Sequence, residues 1–131
     1  MKESEIQHQV IQFFEKYGWY TVKIIQSNKN GWPDLQAHKS GVTIFIEVKS
    51  EKGKVSELQA YRHKQLRNLG FIVLVISSIN QLTHDLTQLR DQLREQWAVS
   101  NSNWRLQDIH LSLEKISITN RIRRDYPADV Q

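Results

Sequence analysis

Cysteine is absent from the 131-residue chain, which excludes a disulfide framework, a thiolate zinc site, a cysteine nucleophile and an iron–sulfur cluster. Long apolar runs are missing too. The longest, Phe71 to Ile76, has six residues, against the roughly 20 that a membrane helix requires. Lys2, Glu3 and Glu5 open the chain with no apolar run behind them, so no secretion signal is expected and a cytoplasmic location is. The five histidines, His8, His38, His63, His84 and His110, are scattered without a His-x-x-x-His pair, which speaks against zinc. No internal repeat, low-complexity tract or linker divides the sequence. Its length fits one domain whose core holds together with neither metal nor crosslink.

What is present begins with charge. The chain carries 18 basic and 14 acidic residues, a net +4. Up to Leu82 there are 11 Lys/Arg against 7 Asp/Glu, and beyond it 7 against 7, so the whole surplus lies in the first part. A modest surplus suits a solvated surface as readily as a nucleic-acid partner. The motifs have to decide.

A helix start signal at Ser4, with Gln7 three residues on, precedes Ile6, Val10, Phe13, Phe14 and Tyr17 at the spacing of one helical face, and Gly18 ends the pattern. Trp19 to Ile25 reads as a strand and Ser27 to Gly31 as a polar loop. Pro33 forbids helix and starts an extended segment through Asp34 to His38. Lys39, Ser40 and Gly41 predict a hairpin turn into a strong strand, Val42 to Lys49. Strict alternation puts Val42, Ile44, Ile46 and Val48 on one face of that strand and Thr43, Phe45, Glu47 and Lys49 on the other. A second capping signature, Ser56 with Gln59, opens a helix carrying Leu58, Tyr61, Leu66 and Leu69, which Gly70 stops. Phe71 to Ser77 reads as a strand covered on both faces, and strand, helix, strand in this order predicts a parallel crossover. Leu82, Leu86, Leu89, Leu93 and Trp97 step by four, three, four and four residues, a helix of about five turns whose stripe suits packing on its own domain or on another chain. After it, Leu106, Ile109, Leu111, Leu113 and Ile116 fit strand and helix alike, and Arg121 through Arg124 to Pro127 reads as a basic tail.

The unusual charges fall in one place. Glu47 and Lys49 lie two apart in a hydrophobic strand, where an ionised group needs a wet outer face, a partner or a metal. The hairpin folds Asp34 back beside Glu47, so both carboxylates reach one end of the sheet. Two carboxylates that close repel unless a divalent cation lies between them, and all-oxygen ligation is what Mg²⁺ prefers. The Val48 carbonyl could complete the shell. Lys49, on the face of Glu47, would orient or deprotonate a water, or neutralise a phosphate whose charge grows in the transition state.

Gly31-Trp32-Pro33-Asp34-Leu35, with twelve residues between Asp34 and Glu47, followed by Glu47-Val48-Lys49, resembles the PD-(D/E)xK nuclease superfamily. Ser4-Glu5 with Gln7 on the first helix, the Gly-x-Pro-Asp turn and Ser56-x-x-Gln59 after the Glu-x-Lys strand are similar to the small VRR-NUC branch, related to the archaeal Holliday-junction resolvases. The resemblance spans about residues 3 to 78. It implies an α/β fold: a restriction-endonuclease-like αβββαβ core with a mixed sheet over residues 1–78, followed by a helical or mixed C-terminal extension, 79–131, packed on the same single domain.

The resemblance also implies roles. Asp34 and Glu47 become ligands of Mg²⁺, or of Mn²⁺ in its place, and Lys49 assists the attacking water. Glu5 supports the metal site, often through water, or else simply favours the helix dipole. Gln59 contacts the lysine or the substrate backbone, with or without a capping box on Ser56. With Glu5, Asp34 and Glu47 facing a metal, the first part keeps eleven basic against four acidic residues. Lys29, Lys52, Lys54, Arg62 and Lys64 are then candidates to hold phosphates. Trp32 stacks on an exposed base, wedges at a branch, or caps the core. The expectation is a structure-selective DNA endonuclease resembling a Holliday-junction resolvase, a homodimer on branched DNA without a membrane partner, nucleoid-associated in a bacterial or viral setting. Flap, nicking or restriction-like cutting, a silent nuclease-fold DNA-binding subunit, and a partner-binding domain working through the late leucine helix are the alternatives.

Overall fold

The computed structural model describes residues 1–99. The readings made for residues 106–116 and for the basic tail lie outside the described residues. The chain divides into two compact units, Met1–Ile79 and Asn80–Gln131.

The first unit runs α1 (Glu3–Lys16), β1 (Tyr20–Lys23), β2 (Leu35–Lys39), β3 (Val42–Val48), α2 (Glu57–Asn68), β4 (Ile72–Ile76). Its four-stranded sheet has the order β1-β2-β3-β4. The first two pairings are antiparallel and the third is parallel, with Ile46 opposite Leu74. This is the mixed sheet the sequence predicts, and the β3–α2–β4 crossover supplies its parallel edge. The β2–β3 turn rests on Ser40 and Gly41, both at positive φ (53° and 76°). Two such residues in succession give a turn whose twist matches that of the strands it joins.

Both faces of β3 are covered. Ile44, Ile46 and Val48 are fully buried on one face, on the side where α1 packs against β1, β2 and β3. On the other face Phe45 packs with Leu66 of α2 and Val73 of β4. Lys39 ties the hairpin to α1 by donating from Nζ to the Tyr17 carbonyl at 2.7 Å, satisfying an orphan acceptor at the helix C-terminus.

Several local readings change. The first helix starts at Glu3 with Lys2 as its N-cap, so Ser4 lies inside the first turn and does not cap it. In α2 the buried residues are His63 and Leu66, whereas Leu58, Tyr61 and Leu69 are exposed. At about 100° per residue, Leu58 and Tyr61 lie about 80° and 140° around the helix from Leu66, too far to share its stripe. Strand β4 is an edge strand with Ile72, Leu74 and Val75 only half-buried, so it is not covered on both faces throughout.

In the second unit, α3 (Ile79–Val99) is the expected long helix. Leu82, Leu86 and Leu93 are buried and Leu89 is half-buried; the side chain of Trp97 lies outside the described residues. Among the described residues no helix is long and apolar enough to cross a membrane.

Candidate active site

The site is assembled at the end of the β2–β3 hairpin, next to the crossover. Register does the first part of the work: Leu35 pairs with Ile46, so Asp34, one residue earlier, stands opposite Glu47. The Asp34 carboxylate Oδ2 accepts the Val48 N–H at 2.9 Å, and the two carboxyls hydrogen-bond to each other. Glu47 is almost fully buried, 1% exposed. Desolvation by burial raises its pKa from 4.5 to about 8; the hydrogen bond to Asp34 and the negative charges of Asp34 and Glu3 push the same way, and the Lys49 ammonium opposes them.

Alternation along β3 then carries the face from Phe45 to Glu47 to Lys49. Lys49 lies just beyond the strand, where its N–H donates to the Ile76 carbonyl at 3.0 Å. The structure therefore brings Asp34 and Lys49 each within electrostatic reach of Glu47.

Two residues that the sequence reading passed over join them. One is His63, 2% exposed, whose Nε2 lies 3.2 Å from Glu47 Oε1. Burial and the Arg67 charge lower the pKa of His63, with Lys49 acting in the same direction and Asp34 against it. Because burial disfavours charge on both partners, this contact is a hydrogen bond between neutral groups when no cation is bound, rather than an ion pair. The other is Glu3, whose Oε1 accepts the Ser50 N–H at 3.4 Å and whose charge reaches Glu47. Gly53 closes the turn beneath it, where an added Cβ would come within 3.2 Å of both Glu3 Oε1 and Ser50 Oγ.

Glu5, the first-helix carboxylate singled out from the sequence, is exposed, and its Oε2 accepts the Lys2 N–H at 3.3 Å. It serves the helix start, and Glu3 takes the place facing the site. The physical reason is helical phase: at about 100° per residue, Glu3 follows the inward stripe of Ile6, Val10 and Phe13, while Glu5 lies far around the helix from it. Gln59 uses its Oε1 to accept the Ser56 N–H at 3.0 Å and gives its own N–H to Ser56 Oγ at 3.1 Å, a closed capping box. It stands one turn before His63 on the same side of α2.

Among the expected nucleic-acid contacts, Lys29, Lys52, Lys54 and Lys64 are exposed. Arg62 is engaged within the protein. Its Nε donates to the Asn30 carbonyl at 2.8 Å and its Nη1 to Gln65 Oε1 at 2.9 Å, which holds the loop before Asp34 against α2. Gly31 in that loop sits at φ 81° and comes so near α2 that an added Cβ would lie 2.9 Å from Leu58 Cγ and 3.0 Å from its backbone. Trp32 packs edge-to-face on Phe45, ring centroids 5.5 Å apart, which is the core-capping arrangement.

Among the described residues no group of three or more His, Cys, Asp or Glu side chains is arranged to hold a metal ion. Mg²⁺ needs fewer protein donors than that, commonly one or two carboxylates with waters and substrate phosphates completing the shell. Asp34 and Glu47 fit this donor set: two neighbouring hard oxygen groups, Glu47 buried and Asp34 half-buried, whose repulsion when both are ionised a cation would relieve.

No protein-family model matches the chain. A curated protein of Acyrthosiphon pisum secondary endosymbiont phage 1, named "Putative nuclease p44", is 30% identical over 79 residues, covering 60% of this chain and 85% of that protein. A solved structure titled "VRR_NUC domain" superposes with a TM-score of 0.56 at 30% identity, over 71% of this chain and 94% of the other. A second, titled "VRR_NUC domain protein", shares the fold at 18% identity with a TM-score of 0.56, covering 67% and 87%.

Proposed function

Because the chain belongs to the VRR-NUC family of nucleases, we propose that Asp34, Glu47 and Lys49 form the centre of a divalent-cation-dependent DNA endonuclease. The observation that carries this reading is the buried Glu47 carboxyl, hydrogen-bonded to Asp34 and within electrostatic reach of Lys49. Asp34 and Glu47 would hold Mg²⁺ or Mn²⁺, with the Val48 carbonyl as a further donor. The cation supplies Lewis acidity toward the scissile phosphate and a more acidic bound water. Lys49 orients the attacking water and offsets the charge that grows on the phosphate. Glu3, held by Ser50, stands where it can receive a proton through water. Attack by water breaks the bond from phosphorus to the 3′ oxygen and leaves a 5′-phosphate and a 3′-hydroxyl. Lys29, Lys52, Lys54 and Lys64 carry the positive charge that draws the phosphate backbone.

The substrate proposed is branched DNA, with a two-fold dimer setting two sites against two strands. The basic surplus carried by the first part of the chain, eleven Lys/Arg against seven Asp/Glu, supports a nucleic-acid substrate. The test incubates wild type and Lys49→Ala with four-way, flap and linear duplexes in Mg²⁺ or Mn²⁺. Cutting by the wild type that drops at least about 100-fold in the variant is expected, and four-way substrates should be cut fastest. Equal cutting by both proteins rejects the mechanism. Tight binding without cleavage under any cation would turn the reading to a DNA-binding subunit.

A further inference from the structure

One buried polar group has no part in the chemistry above. Helix α2 is polar over most of its surface, and of its twelve residues only His63 and Leu66 are buried. These two meet successive residues of one strand face: Leu66 packs with Phe45 and His63 Nε2 reaches Glu47 Oε1 at 3.2 Å. A leucine in the first of these positions is an ordinary core residue. A histidine in the second, 2% exposed, has its polar ring nitrogen on the one buried carboxylate among the described residues, although an apolar side chain would fill the space without burying a polar ring.

We infer that His63 is the positioning residue of the cation site, fixing Oε1 of Glu47 so that the carboxylate is held toward Asp34. The inference rests on the reading of Asp34 and Glu47 as cation ligands. A glutamate has three side-chain torsions, and one that must meet a cation loses affinity through every rotamer that points elsewhere. A donor fixed on a helix removes those alternatives, as partners of ligating carboxylates do at other metal sites. Three contacts keep the donor in place. The Ser56–Gln59 box fixes the start of α2, Arg62 clasps the loop at Asn30, and Arg67 donates to the Val73 carbonyl at 2.9 Å.

The experiment measures Mn²⁺ uptake by the DNA-free full chain, followed by loss of the free Mn²⁺ electron-paramagnetic signal. It compares wild type, Asp34→Asn, His63→Leu and His63→Gln, each checked for folding by circular dichroism. Wild type is expected to bind, Asp34→Asn to lose binding, and His63→Leu to bind at least about 10-fold more weakly. His63→Gln, which keeps a donor at a similar reach, should regain most of that loss. Folded His63→Leu with wild-type affinity overturns the inference while leaving the cation reading intact. Absence of Mn²⁺ uptake by the wild type overturns both. Should His63→Leu not fold, the wild type decides through its ring-nitrogen resonances, with His63 assigned by its absence in His63→Gln. A shift of the Nε2 signal on adding Mg²⁺ supports the inference, and an unmoved signal overturns it.

Discussion

The two faces of β3 are made by the same seven residues and do opposite things. One face, Val42, Ile44, Ile46 and Val48, is aliphatic from end to end and buried. The other passes from Phe45, packed under Leu66 and Trp32, to Glu47 and then, just past the strand, to Lys49. Each step of two residues on that face trades dispersion contacts for charge, while the backbone between them does not change. The comparison teaches how a small fold affords a buried carboxylate. The aliphatic face anchors the strand, so the opposite face can hold a group whose ionisation the surroundings resist.

The largest effect should come from substitutions that separate the faces. Glu47→Gln is expected to lower DNA cleavage by at least about 1,000-fold, the upper range for groups that act in proton transfer and charge stabilisation, while circular dichroism shows an unchanged fold. Ile46→Ala, one residue away on the other face, should cost about 2–5 kcal/mol in urea unfolding, with the specific activity of the folded protein kept. Matching losses of activity in the two variants would dissolve the distinction between the faces.

Titration sharpens it next. The pKa of Glu47 is raised to about 8 in the folded chain, above that of an unfolded glutamate, so the folded state holds a proton that the unfolded state releases. Its contribution to stability is therefore full below the unfolded value of 4.5 and is lost as pH rises through about 8. Melting curves without divalent cations should show that decline in the wild type and much less of it in Glu47→Gln. Since a carboxylate ligand must lose its proton to bind, stabilisation by Mn²⁺ should grow over the same interval. A wild-type curve that is flat from pH 5 to pH 9 would contradict the buried, protonated carboxyl.

Smaller effects belong to the elements that bring the charged face its partners. Gly31→Ala combines a φ of 81° with a Cβ 2.9 Å from Leu58, and a loss of about 1–3 kcal/mol is expected. Cleavage should fall with it, because the same loop carries Asp34. Ser56→Ala removes the α2 cap and should cost about 1 kcal/mol in thermal unfolding, with only a minor change in cleavage.

Much of this was legible in the sequence, for identifiable reasons. Period-two alternation over Val42 to Lys49 reports strand faces directly, and Lys39-Ser40-Gly41 fixes the hairpin, so the meeting of Asp34 and Glu47 follows from counting. Ser56 with Gln59 and the stop at Gly70 define α2 within a residue. The capping signal at Ser4 puts the start of the first helix two residues past its true N-cap, Lys2, and that shift matters. Two residues turn a helix by about 200°, enough to exchange Glu3 for Glu5. The signal was there, since Glu3 follows the stripe of Ile6, Val10 and Phe13. His63 was hidden by composition. Leu58, Tyr61 and Leu69 look like an apolar stripe, and only the packing of Leu66 on Phe45 reveals that the buried line of α2 runs through a histidine instead. Trp32 and Arg62 carried an aromatic ring and a cation suited to nucleic acid, yet tertiary contacts with Phe45 and Asn30 engage both.

The Asp34 carboxylate also finishes the hairpin. By taking the Val48 N–H at 2.9 Å, it occupies the place where a neighbouring strand would ordinarily offer its peptide oxygen. An inactive variant meant to capture substrate should therefore be made with asparagine, whose amide oxygen can still close that last rung. Alanine would leave a main-chain donor orphaned beside the cutting centre, and the sheet would fray where its shape is needed most.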